Sequence, residues 1–147
     1  MNKLTALILI LFCFSAQAES DNYRIGTFLQ SDHHDDSFDY NESDHRSIYF
    51  CIDNDCAGVY KHSYCETILD DSDDKGCYAY FYSRTFYSYS YESFTAEAFL
   101  GIATGYEDYV ADDFFTPFGG LSVKYGYFKW YQMGQVSVLG LEYEGRF

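Results

Sequence analysis

The run His33-His34-Asp35-Asp36 sets two imidazoles and two carboxylates side by side, a donor set sufficient for weak binding of a divalent cation. Neighbouring residues of an extended chain point to opposite faces, so these four close poorly on one ion, and a solvated acidic loop is the competing reading. Asp70-Asp71-Ser72-Asp73-Asp74 is a second acidic run. It lacks the spaced glycine and the distant glutamate of a calcium-binding hand, which leaves loose association of Ca2+ or Mg2+ with the acidic loops as its metal chemistry. The segment Tyr60-Lys61-His62-Ser63-Tyr64 offers something different. A serine hydroxyl becomes a nucleophile when a base stands within hydrogen-bond reach, and His33, His34 and His45 are the candidate bases, with His62 beside the serine itself. An incidental serine at an aromatic strand end is the plainer alternative. No motif implies a cofactor.

The start of the chain indicates where these residues fold. Asn2-Lys3 is a short positive region, Leu4 to Phe14 is apolar, and Ala16-Gln17-Ala18 is a small-x-small cleavage site, the three parts of a secretory signal peptide. Residues 1–18 are read as that signal and 19–147 as one domain. The apolar run is shorter than the roughly 20 residues of a spanning helix. Cleavage removes Lys3, the one charged residue of the signal, and moves the formal charge from −14 to −15. Such acidity repels nucleic acid and, without divalent cations, anionic headgroups, so no nucleic-acid partner is expected.

Cys13 leaves with the signal, and four cysteines remain in an exported chain, a setting that favours disulfides. Four allow three pairings, and the layout selects among them. Cys51 and Cys56 flank the turn-like Ile52-Asp53-Asn54-Asp55, while Cys65 and Cys77 flank the polar stretch from Glu66 to Gly76. Each pair is placed to staple one hairpin. The close cysteine pairs that a zinc site requires are absent.

Alternation places eight strands on the mature chain, at about 23–31, 46–52, 57–64, 77–87, 92–105, 114–125, 127–131 and 136–147. In the fifth, Phe94, Ala96, Ala98, Leu100 and Ile102 share one face, and Thr95, Glu97, Phe99 and Gly101 the other. Glu97 is expected inside, paired with an arginine or a tyrosine. In the last strand, Leu139, Leu141 and Tyr143 oppose Glu142, Glu144 and Arg146, and the chain stops on Phe147. Connections alternate long and short, with a modest one before the last strand. An all-β fold follows: an eight-stranded antiparallel up-and-down β-barrel of outer-membrane type, whose short turns face the periplasm and whose strands run roughly 9–11 residues. The 17 Tyr and 14 Phe of this chain suit both a membrane boundary and a barrel lumen. A soluble exported barrel, periplasmic or secreted, shares the strand count and is the alternative.

Tyr40-Asn41-Glu42, Tyr60-Lys61-His62-Ser63-Tyr64, Phe99-Leu100-Gly101-Ile102-Ala103-Thr104-Gly105 and the strand containing Pro117 together resemble the lipid A palmitoyltransferase family and the small phage-encoded barrels related to it. The resemblance spreads over most of the mature chain. It implies an outer-membrane enzyme that moves an acyl chain from a phospholipid to lipopolysaccharide with loop His, Asp and Ser residues. Ser63 matches the family serine, His33 is the nearest match to its histidine, and His62 stands where the family has its aspartate. The amphipathic helix that precedes the family's barrel has no counterpart between Glu19 and the first strand.

Two membrane functions and one soluble function follow as expectations. The first is acyl transfer between outer-membrane lipid and lipopolysaccharide, with His33, Ser63 and His62 near the chemistry. The second is a non-enzymatic surface barrel whose acidic loops mediate adhesion, receptor blocking or protection. The third is a soluble ligand carrier. The membrane readings imply a monomer inserted by the barrel-assembly machinery. An eight-stranded interior is largely filled by side chains, which excludes a general diffusion pore.

Overall fold

Four turns of two residues each close the hairpins: Asp53-Asn54, Glu92-Ser93, Gly126-Tyr127 and Gly134-Gln135. Each begins at positive φ, 51° at Asp53, 53° at Glu92, 60° at Gly126 and 57° at Gly134. Two-residue hairpin loops need such a residue to match the twist of the strands they join. Glycine adopts that conformation without steric cost.

The computed structural model describes residues 22–34, 46–61, 78–104 and 115–146. The strands are β1 (Asn22–His33), β2 (Ser47–Ile52), β3 (Asp55–Lys61), β4 (Tyr78–Tyr91), β5 (Phe94–Thr104), β6 (Thr116–Tyr125), β7 (Phe128–Met133) and β8 (Val136–Arg146). They pair in sequence order and β8 closes on β1, so the sheet is a complete antiparallel barrel with no edge strand. The barrel expected from the sequence is the fold. Several boundaries differ from expectation, among them the end of β1, which runs to His33, two residues beyond the expected end at 31. β4 continues through Ser88-Tyr89-Ser90 to Tyr91, because Ser88 and Ser90 pair with Glu97 and Thr95. The connection after β7 is the tight turn at Gly134, where Met133 lies opposite Val136.

Both ends of the barrel chain, Asn22 and Arg146, lie at the same end as the turns at Asp53, Glu92 and Gly126. The three longer connections and the Gly134 turn belong to the other end, called the open end below. Cys51 and Cys56 form a disulfide across the β2–β3 ladder, one pair before the turn, with Cα atoms 4.0 Å apart. Cys65 and Cys77 lie outside the described residues. So do Ser63, His62, His45, Asp35, Asp36, the acidic run at 70–74 and the signal segment.

Apolar and aromatic side chains lie on both faces of the barrel wall. Twenty large apolar or aromatic side chains of the described residues are exposed, and exposed apolar patches of this kind mark surfaces that meet lipid or a partner. Leu100 and Leu121, each at least 60 % exposed, face outward from β5 and β6. Tyrosines gather on the outside at the turn end. Tyr127 stacks on Tyr143 at 6.4 Å, Tyr143 meets Tyr23 at 6.5 Å, and Tyr91, Phe94 and Tyr125 are cross-strand neighbours. The core of the molecule is the lumen.

Candidate functional site

Inward-facing residues divide the lumen into two levels. At the turn end, β1 contributes Arg24, β5 Glu97, β6 Ser122 and Lys124, β7 Lys129 and β8 Glu142. These residues come from opposite walls and meet in the middle. Arg24 Nη1 lies 2.8 Å from Glu97 Oε1 and 3.7 Å from Glu142 Oε1. Lys129 Nζ bridges the two carboxylates, 2.6 Å from Glu97 Oε2 and 2.9 Å from Glu142 Oε2. Lys124 Nζ adds contacts of 3.3 Å to Glu142 and 3.1 Å to Glu144. Ser122 donates to Glu97 Oε2 at 3.2 Å. Three cations thus meet three carboxylates, and the net charge of the cluster is zero. Close opposite charges are what permit Arg24, Glu97, Lys129 and Glu142 to be buried, while Glu144 stays exposed.

A tyrosine pair sits above the charges. Tyr49 donates to Glu142 Oε2 at 3.0 Å, and the Tyr49 and Tyr131 hydroxyls are 2.7 Å apart. Tyr49 thus reaches the ions directly and Tyr131 through Tyr49, with Lys129 Nζ 5.2 Å from the Tyr131 ring centroid. Gly26 makes this arrangement feasible: a Cβ there would collide with the Tyr49 ring. A larger residue on β1 would push the ring out of its place over the floor.

Above that pair the lumen becomes apolar. Phe28 lies 5.5 Å from Tyr131, 5.4 Å from Tyr49 and 6.1 Å from Phe81, centroid to centroid. Phe118 closes against Phe81 at 6.2 Å and Phe99 at 6.3 Å. These rings enclose part of a cavity of about 260 Å3, completed by Ala103, Met133, Val136 and Val138. Glu97, Ser122 and Lys129 form its polar bottom, and Ser31, His33 and Thr116 also line it, nearer the open end.

The candidates named from sequence fall in different places. His33 lines the cavity. His34, its neighbour, turns the other way; its Nε2 is 3.0 Å from Ser137 Oγ at an exposed position. The adjacent imidazoles therefore do not converge, as strand alternation requires. Among the described residues no three His, Cys, Asp or Glu side chains group as metal ligands. Ser63 and His62 follow Lys61, the last residue of β3, at the open end, and lie outside the described residues. Glu97 is inside and paired with an arginine, Arg24, as expected. Tyr49, Tyr131 and Lys129 were not singled out from sequence, although each occupies the inward register of its strand.

An apolar slot above a neutral ionic floor can take a hydrocarbon chain and stop it at a fixed depth. The nearby histidine can exchange a proton with a group held above the slot. No protein-family model matches the chain, and no curated protein matches it.

Proposed function

We propose that this protein is an outer-membrane barrel that draws one acyl chain of an outer-leaflet lipid into its lumen and acts on that lipid's ester, as an acyltransferase between phospholipid and lipopolysaccharide. The observation that carries this reading is the aromatic cavity at the open end, closed below by the Arg24, Glu97, Lys129 and Glu142 cluster. The apolar outer face and the aromatic belt at the turn end support placement in a bilayer, with the long connections outward.

Leaving a bilayer for an equally apolar cavity yields little net hydrophobic free energy, because lipid tails are as apolar as the pocket wall. The slot therefore contributes length selection more than affinity. An extra methylene meets charged groups, and a missing one leaves a void; a difference of one methylene is worth about 1–3 kcal/mol, or 10–200-fold in rate. His33 stands beside the cavity to move the proton that ester chemistry requires.

Mass spectrometry of lipid A from cells expressing the chain tests the proposal, with outer-membrane fractionation as the control for assembly. An added acyl mass that changes in length or disappears in Ala103→Phe, which fills the slot, is expected. Unchanged lipid A from cells with an assembled barrel would remove the enzymatic reading. It would favour a surface barrel acting through its acidic connections at 35–44 and 70–74.

A further inference from the structure

The lumen-facing register of β1 runs Arg24, Gly26, Phe28, and simple alternation would turn Gln30 and Asp32 inward next. The ladder to β8 instead shifts between Phe28 and Gln30. Gln30 and Asp32 are exposed, while Ser31 is 3 % exposed and lines the cavity together with His33. A β-bulge reverses the facing of every residue beyond it, and bulges recur where a side chain must be re-aimed.

Ser31 and His33 are two residues apart on one strand, so both project to the same side. Ser31 Oγ lies 3.5 Å from His33 Nδ1, the outer limit of a hydrogen bond and a separation that substrate can tighten. The other Ser–His contact, His34 to Ser137, is shorter at 3.0 Å but exposed, and Ser137 donates onward to Gln132. Only the first of these two pairs shares its cavity with the aromatic slot.

We infer that Ser31 is an acyl-accepting nucleophile and His33 its general base, acting on the ester of a lipid whose chain fills the slot. The inference rests on the acyl-chain reading of the cavity. With the imidazole proton on Nε2, Nδ1 takes the Ser31 proton as Oγ attacks the ester carbonyl. A bond forms between Oγ and the acyl carbon, the ester C–O bond breaks, and His33 returns the proton to the leaving alcohol oxygen. A second hydroxyl, from an acceptor lipid or from water, then attacks the acyl-serine. His33 accepts that hydroxyl's proton and passes it to Ser31 Oγ, which restores the starting state.

The test uses the full chain reconstituted in phosphatidylcholine vesicles, an alkyl fluorophosphonate as covalent probe, and a fluorescent polyene fatty acid as probe of the slot. One phosphonyl adduct mapping to Ser31 is expected. It should be absent in Ser31→Ala, at least ~10²-fold slower in His33→Gln, and unchanged in His34→Gln. Ser31→Ala should bind the fatty acid as the native chain does, which separates a lost nucleophile from a lost fold. An adduct on Ser63 or elsewhere, or no adduct on a native barrel that binds the fatty acid, overturns the Ser31 assignment alone. Absence of fatty-acid binding to the native barrel overturns the cavity reading and this inference with it.

Discussion

The two levels of the lumen are made by the same alternation of the same eight strands, yet one is crossed by paired charges and the other is lined by apolar rings. At the floor, Glu142 is fully buried among Arg24, Lys124 and Lys129. At the slot, rings touch at their edges and leave a cavity of about 260 Å3. Charges attract across the barrel axis and draw the walls' side chains together, whereas rigid aromatic rings reach inward without filling the centre. Stability is therefore expected to reside in the floor and selectivity in the slot.

Breaking the floor should produce the largest effect. Glu142→Ala leaves three cations around a vacated centre and should cost about 3–5 kcal/mol, the usual range for one partner of a buried ion pair removed alone. Urea titration of the folded barrel in vesicles reads that loss. The double variant Glu142→Ala with Lys129→Met should recover part of it, since the pair disappears together. Ala103→Phe should leave the urea midpoint close to native while shifting the preferred acyl length, with 10–200-fold discrimination per methylene read from competing donors. A midpoint that falls as far as in Glu142→Ala would erase the distinction between floor and slot.

Smaller effects sharpen the comparison. Reduction of Cys51–Cys56 releases a loop already closed by the Ile52 and Asp55 pairing. It should cost about 2 kcal/mol by the chain-entropy relation, seen as a lower urea midpoint in the presence of a thiol. His34→Gln and Ser137→Ala, at the exposed contact outside the cavity, should change stability by no more than about 0.5 kcal/mol.

Much of the scaffold was legible because a barrel strand carries its two faces in period two. Ile48 and Phe50 read as one face and are exposed, while Tyr49 and Cys51, which alternate with them, are buried. The turn at Asp53-Asn54 and the cysteines around it announced the disulfide now seen. Glu97 announced itself as a charge in an otherwise apolar strand. The site was less legible, for two physical reasons. The floor joins residues far apart in sequence, Arg24 to Glu97 and Tyr49 to Glu142, and only barrel closure brings them together. The bulge after Phe28 left no mark in the residues, since Phe28-Leu29-Gln30-Ser31-Asp32-His33 fits either facing. That single slip decides whether Ser31 and His33 or Gln30 and Asp32 enter the lumen.

Everything proposed for the lumen presumes that the outer face meets lipid, and Leu121→Arg tests that presumption most directly. Leu121 is 60 % exposed on the outside of β6. If the barrel spans a bilayer, unfolding in vesicles should show a loss of about 2–4 kcal/mol for an arginine near the midplane. If the face meets water, an exposed leucine changed to arginine should alter stability by about 0.5 kcal/mol or less, and that result would contradict the membrane-barrel account.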